Sequence, residues 1–421
     1  MKSKLLTTVF FLLITSITFS QEKTIQAIEI KGAKKTSINY LKRILKSKPT
    51  MVLDSTILAN DVNQLKRLAA IAHATFRVEK DIGKNKFNVI FTVEENFTII
   101  PEVNFWTNNK SDVAYKFGVY DHNFLGRNIG FGGFYQNNGY NTYAVNFKAP
   151  HLFSPKFGLA FNHQNWKSEE PLYFDSGSAN YLYNNVSFEV LGLYKLNSKN
   201  NFELGFNSFK EKYNYLNGIT SNQIPQQLNL NKFLFKLVYN YSNLKYHYQF
   251  LDGFKSQFYG QLVKSDGDQK DFLIAWNDFF YFKRVGERGN WANRIRMGLS
   301  TNNKTPFAPF SLDNNVNIRG VGIIVDRGTG SIVLNSEYRY ALLEKNWFCL
   351  QGNAFIDAGS WRNPGGKLDD FTNHKNIKVF SGVGLRFIHK KIYNAVLRID
   401  YGHSLKSDGT NGIVFGVGQY F

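Results

Sequence analysis

The chain of 421 residues contains one cysteine, Cys349, so no internal disulfide framework exists and stability must come from strand pairing and burial. Beyond residue 20 it lacks any apolar run long enough for a transmembrane helix, which needs roughly 18 or more such residues. It also lacks G-x-S-x-G, H-E-x-x-H, a cysteine cluster and a phosphate-binding P-loop. Those absences exclude a nucleophile-elbow lipase, a zinc peptidase and a nucleotide hydrolase. The eight histidines are scattered, and His151, His163 and His403 read as rim or interior residues rather than metal ligands. With no convergent acid, base or nucleophile set, the chain is not expected to be an enzyme and implies no cofactor or metal. Negative charge is scarce too, leaving a formal +19. Such a surplus fits an anionic partner or a solvated surface and interior.

Residues 1–20 supply the compartment. Lys2 and Lys4 precede a largely apolar stretch from Leu5 to Ile17, which closes with Thr18-Phe19-Ser20. This pattern predicts a secretory signal with a small-x-small cleavage site, and no cysteine follows for a lipid anchor. Its removal would lower the formal charge from +19 to +17. A secreted chain argues against a nucleic-acid partner. Abundant phenylalanine, tyrosine, asparagine and glycine then suit strands that are apolar on one face and polar on the other, as in an outer-membrane barrel. A soluble β-sandwich would share the alternation with fewer outward aromatics.

Two regimes meet near residue 97. Over 21–97 the order is strand, two helices and two strands, with Ser37 and Asp54 or Ser55 as helix starts and Gly32 and Gly83 in turns. This is a small α+β domain. Over 98–421 there are sixteen strand-like runs, spaced for tilted membrane strands of roughly 9–11 residues. Short connections at Leu125-Gly126, 197–200, 285–289 and 343–346 alternate with longer ones at 168–181, 214–231, 303–329 and 361–375. The predicted fold is therefore mainly β, a sixteen-stranded antiparallel transmembrane β-barrel behind a small α+β domain. In the last run, 412–421, alternation predicts Ile413, Phe415, Val417, Gln419 and Phe421 outward, with Val414, Gly416, Gly418 and Tyr420 inward.

The candidate site is spread over three segments. Arg319-Gly320 lies on a glycine-flanked loop, and Glu337 and Asp357 lie on the two strands that follow. Period two sends both carboxylates to the same side as Asn335, Arg339 and Asn353. A loop arginine facing inward carboxylates suggests a loop tucked into the barrel and pinned by charge-assisted hydrogen bonds. Arg294, Arg296, Arg339, Arg386, Arg398 and Asp400 would line a mostly basic lumen. A second candidate is the closing seam, where Pro101 in the first strand cannot donate a ladder hydrogen bond and Gly416 and Gly418 weaken the last.

Several segments carry a family resemblance. The opening IQAIEIKGAKKT (25–36) and FNVIFTVEEN (87–96) resemble the start and end of a POTRA domain. DHNFLGRN (121–128), NIRG (317–320), FIDAG (355–359), and GVGLRF (382–387) with LRIDYG (397–402) resemble motifs of the BamA/TamA-like outer-membrane superfamily. Val321 departs from the aromatic usual after the arginine-glycine pair. The resemblance implies that Arg319 enters the lumen against Glu337 and Asp357, with Gly320 permitting a tight backbone beside it and Gly359 part of the same loop lock. It implies that Phe415, Val417 and Phe421 form a C-terminal insertion signal, and that the seam of Pro101, Gly416 and Gly418 opens sideways. The implied place is the outer membrane with the N-terminal domain in the periplasm. The implied partners are outer-membrane lipid, unfolded outer-membrane proteins and assembly lipoproteins. The implied function is assembly or insertion of barrel clients; the alternative is a two-partner-type polypeptide secretion pore, whose relatives usually carry two POTRA copies and a plug helix.

Overall fold

The computed structural model describes residues 22–80, 85–107, 113–174, 177–219, 226–266, 270–304, 308–313, 317–321, 326–406 and 409–421. The expected secretory segment and Gly83 lie outside them. The N-terminal unit runs β1 (Thr24–Lys31), α1 (Ile38–Ile44), α2 (Ser55–Lys66), β2 (Ile71–Lys80) and β3 (Lys86–Glu95). Its sheet order is β1-β3-β2, with β1 parallel and β2 antiparallel to β3. Both helices start where side-chain oxygens meet orphan amides: Ser37 accepts from Tyr40, and Asp54 from Thr56 and Ile57. Leu41, Ile44, Leu58 and Leu65 then pack on Ile28, Ile30, Val89 and Phe91. Asp61, fully buried, accepts from the Lys46 and Ser47 amides at 2.8 and 2.9 Å and from the Ser47 hydroxyl at 2.6 Å. It ties the end of α1 to α2, so its burial is offset by three hydrogen bonds.

The wall of the second unit begins with β4 (Ile99–Thr107), β5 (Val113–Phe124), β6 (Ile129–Asn137) and β7 (Asn141–Ala149). It continues with β8 (Phe157–Phe174), β9 (Gly177–Lys195), β10 (Asn200–Gly218), β11 (Gln227–Ser242), the short β12 (Lys245–His247) and β13 (Phe250–Ser265). Next come β14 (Phe272–Val285), β15 (Gly289–Ser300) and a two-stranded sheet of β16 (Phe310–Ser311) with β17 (Arg327–Gly328) inside one loop. The wall ends with β18 (Gly330–Glu344), β19 (Phe348–Arg362), β20 (Ile377–His389), β21 (Val396–Ser404) and β22 (Asn411–Val417). Setting aside β12, β16 and β17, sixteen strands close into a barrel in which β22 lies beside β4.

Alternation sorts each strand between two environments. On β18, Leu334, Tyr338, Tyr340 and Leu342 are exposed outward, while Val333, Asn335, Glu337, Arg339 and Ala341 are buried inside. The same outer row runs round the ring through Phe117, Phe188, Phe206, Phe235, Ile295, Val383 and Phe415. So much contiguous exposed apolar surface, over a polar interior, is stable in lipid rather than water. No described helix is long and apolar enough to cross a membrane; the strands do so.

Two expectations are corrected here. The long connections placed at 168–181 and 214–231 are largely strand: β8 and β9 stay paired to Phe174 and Gly177, and β10 and β11 to Asn214 and Gln227. With 18 or 19 residues each, β8 to β10 exceed the roughly 9–11 that cross a membrane, so their far ends stand clear of it. A second small core, Ala179 and Tyr181 packed by Tyr213, Tyr215 and Ile219, stabilises that projection. The last strand differs too. Its ladder stops at Val417, Gly418 takes φ +87°, and Gln419 and Phe421 turn into the lumen rather than outward.

The N-terminal unit is docked on the near rim of the barrel. The Ser37 amide donates to Gly126 at 2.9 Å, Asn123 to the Thr36 hydroxyl at 3.1 Å, and Arg43 to the His151 carbonyl at 2.6 Å. Arg67 reaches the carbonyls of Ser198, Ser242 and Leu244. Phe97 pairs with Lys391 and Tyr393. Gly126 sits at φ +66°, where an added Cβ would lie 2.4 Å from the Lys35 carbonyl. That turn is shaped for this contact.

His151 makes the docking pH-sensitive. Its Nδ1 lies 2.9 Å from the Tyr40 hydroxyl, and burial, then the charges of Lys195 and Arg43, push its pKa from 6.5 down to about 4. A group whose pKa is depressed on docking contributes fully above 6.5, and the contribution is lost as pH falls from there toward about 4. Spin labels on Lys42 and Leu152 should give a narrow distance distribution at pH 7.5 that broadens below pH 6. His151→Gln should remove the pH dependence; an unchanged broadening in that variant refutes the assignment.

Candidate functional site: a buried guanidinium between loop and wall

The connection from β15 to β18 folds back into the barrel because its own side chains anchor it there. Leu312, Ile318 and Val321 bury against Val333, Trp361 and Phe380 of the wall. Asn317 bridges within the loop, donating to the Ser311 carbonyl at 2.7 Å and the Asp313 carboxylate at 2.9 Å. Gly320, at φ +90°, lies flat on β21, where an added Cβ would stand 2.5 Å from the Gly402 carbonyl. A Cβ on Gly402 would in turn meet the Arg319 carbonyl at 2.3 Å. Gly359 leaves the space that Ile318 fills, and Val321 is buried as a small apolar anchor.

This seating buries Arg319 completely. Its backbone amide, Nε and Nη2 donate to Asp357 at 3.0, 2.8 and 2.9 Å, and Nη1 donates to Glu337. Arg339 holds the other oxygen of Glu337. Arg386 donates to Asp400 at 2.8 Å, and Arg398 lies 3.4 Å from the same carboxylate. Asn335 accepts from Arg294 at 2.9 Å and donates to Asp357 and to the Asn317 carbonyl, each at 2.8 Å. Nearby, Arg296 forms a two-bond fork with Asp278.

The faces of the Arg319 guanidinium are covered as well. Its Cζ lies 3.6 Å from the Phe355 ring centre and 4.3 Å from that of Tyr420. Carboxylates take the edge of the plane and π-faces take its sides, so the cation is desolvated without being left unpaired. Glu337, Asp357 and Asp400 are each engaged by guanidinium groups.

Arg319, Gly320, Glu337, Asp357 and Gly359 thus come together in one cluster. Pro101 lies on β4, opposite Val119 of β5. Gly416 lies opposite Arg398, where an added Cβ would be 2.5 Å from the guanidinium. Gly418 turns the chain inward, and Phe415 and Val417 remain on the outer surface. Sequence reasoning missed Phe355, Gly402 and Thr410. Phe355 stands two residues before Asp357, so alternation had already put it inside. Gly402 stands two residues after the inward Asp400, so alternation put it inside as well, but nothing local marks its contact, or that of Thr410, with a loop distant in sequence.

Residues 23–96 match the POTRA family model, described as a surface antigen variable number repeat. Among curated proteins no sequence matches the chain. Solved structures share its fold at low identity. BamA from Haemophilus ducreyi lacking POTRA domains 1–3 is 14% identical, with a TM-score of 0.53 over 93% of this chain and 83% of that one. CdiB from Escherichia coli is 12% identical, with a TM-score of 0.64 over 93% and 75%. CdiB from Acinetobacter baumannii is also 12% identical, with a TM-score of 0.58 over 94% and 74%. Residues 23–96 are thus a POTRA domain, and the chain as a whole shares the barrel fold of these solved structures.

Replacing Arg319 by alanine leaves the buried Asp357 without its cation and takes one of two from Glu337, a loss of about 3–5 kcal/mol. Urea unfolding in detergent should show that loss, and protease should newly cut within 303–329. Arg319→Lys should recover only part, since lysine cannot fork between two carboxylates. A cleavage pattern like that of the unaltered protein refutes the lock.

Proposed function

We propose that this chain, a POTRA domain followed by a barrel of the BamA/TamA-like architecture, is an outer-membrane assembly factor that helps unfolded β-barrel clients insert. The observation that carries the reading is the seam. The closing strand β22 has seven residues, fewer than any other described strand of the sixteen, and it lies beside a β4 that contains Pro101. A weakly paired closing strand offers main-chain edges to an incoming strand by β-augmentation. Phe415 and Val417 keep its outer face apolar, as contact with lipid requires, and with Phe421 they make up the segment read as an insertion signal.

In this reading 21–97 stands in the periplasm and 98–421 spans the outer membrane after removal of residues 1–20. The near-rim turns then face the periplasm, and the projecting ends of β8 to β11 face outward. The N-terminal unit supports client capture. Its β1 edge is partly covered by the segment at Thr50–Leu53, whereas β2 pairs with β3 alone in that sheet. The driving force would be the client's own folding. Assembly lipoproteins would act as accessory partners, and no nucleic acid, cofactor or catalytic group takes part.

The second reading, a two-partner-type secretion pore, draws on the fold shared with CdiB. Against it, the lumen beside β18 to β22 is filled by the Arg319 cluster and by residues 419–421. A cysteine pair joining β4 to β22, in a Cys349→Ser background, separates the two. Oxidised barrels should fail to restore client barrels in depleted cells, and reduction should return activity. A locked barrel that still assembles clients, or a dedicated exported partner lost with this protein, overturns the assembly reading.

A further inference from the structure

We propose that residues 418–421 are a latch, which holds the closing strand by seating on the loop's buried guanidinium, so that loop and seam release together. The strand ladder of β22 ends at Val417, and the Gly418 amide makes its last wall contact with the Val396 carbonyl at 2.8 Å. Gly418 at φ +87° then turns the chain into the lumen, a conformation in which a side chain would be strained.

Each residue beyond that turn has a prepared seat. Gln419 accepts from Arg386 at 3.3 Å and donates to Gln351 at 3.4 Å. Tyr420, almost fully buried, lies against the Arg319 guanidinium at 4.3 Å, as Phe355 does at 3.6 Å, and lies 4.8 Å from the Arg398 guanidinium. The Phe421 ring sits 5.6 and 5.3 Å from the guanidinium carbons of Arg294 and Arg339, and its carbonyl accepts from Arg339 at 3.1 Å. Its far side packs on Leu244, Phe282 and Ala292.

The same loop also grips the other end of the strand. Thr410, just before β22, donates its hydroxyl to the Gly320 carbonyl at 3.1 Å. Arg319-Gly320 therefore brackets β22, through Thr410 before it and Tyr420 after it. A seven-residue strand with Gly412 and Gly416 inside it has little ladder of its own, so these end contacts are a large share of what keeps it in place. Removing either partner of the Tyr420–Arg319 stack should free the strand, and removing both should add little more.

Hydrogen–deuterium exchange on the full chain in detergent tests this without reference to clients, so its outcome is independent of the assembly reading. Tyr420→Ala and Arg319→Ala should each raise exchange over 411–417 about thirty-fold, the size of one desolvated cation–π contact. The double variant should match the singles rather than multiply them. Tyr420→Phe keeps the ring face and should stay well below Tyr420→Ala. Tyr420→Leu keeps bulk without the face and should behave as Tyr420→Ala, a comparison that leaves Arg319 untouched. Unchanged exchange over 411–417 in Tyr420→Ala, multiplicative effects in the double variant, or an equal rise throughout β8 to β11 overturns the latch.

Discussion

One buried cation organises this barrel. Arg319 sits where water cannot reach it, and a guanidinium in that position is tolerable only because every direction around it is answered. Asp357 and Glu337 meet its edge, while Phe355 and Tyr420 meet its faces. These partners come from β18, from β19 and from beyond β22. The cation therefore joins the loop, the wall and the last residues of the sequence into one unit, and disturbing any of them exposes charge in the others.

The surroundings extend that logic. Arg294, Arg339, Arg386 and Arg398 stand close by, and Asp400 joins the two carboxylates of the loop site. Asparagine and glutamine bridges and aromatic faces take up part of what the carboxylates leave, while Arg386 Nη2, Arg398 Nε and Gln351 Nε2 make no hydrogen bond among the described residues. Such a network is stable when complete and costly when partial, since a low-dielectric interior strengthens both its bonds and its defects. This is the physical sense in which the interior is rigid on the β18–β22 side. The opposite wall depends on another device, long strands that run past the membrane and build a small tyrosine core of their own.

The N-terminal unit and the barrel meet through backbone carbonyls and tight turns rather than through a wide apolar surface. Gly126 and the carbonyls that Arg67 reaches are positions where turn geometry does the recognising. Contacts of this kind are directional and individually modest.

Much of this was already written in the order of the amino acids. Period-two alternation has a direct physical cause, the pleat, and it assigned Glu337, Asp357, Asn335 and Arg339 to the interior before any contact was known. The helix starts at Ser37 and Asp54 were legible for a similarly local reason, since a cap is a bond between near neighbours. What stayed hidden depends on partners far apart along the chain. Alternation carried through 412–421 sent Gln419 and Phe421 outward, and it failed because Gly418 leaves the extended conformation at that point. Nothing local announces that a turn will be taken there; the arginines waiting inside make it favourable. Likewise the runs at 168–181 and 214–231 carried turn-like residues, yet cross-strand tyrosine packing draws their described ends into strand. Local chemistry sets which way a side chain can point, and only the closed wall determines what it finds there.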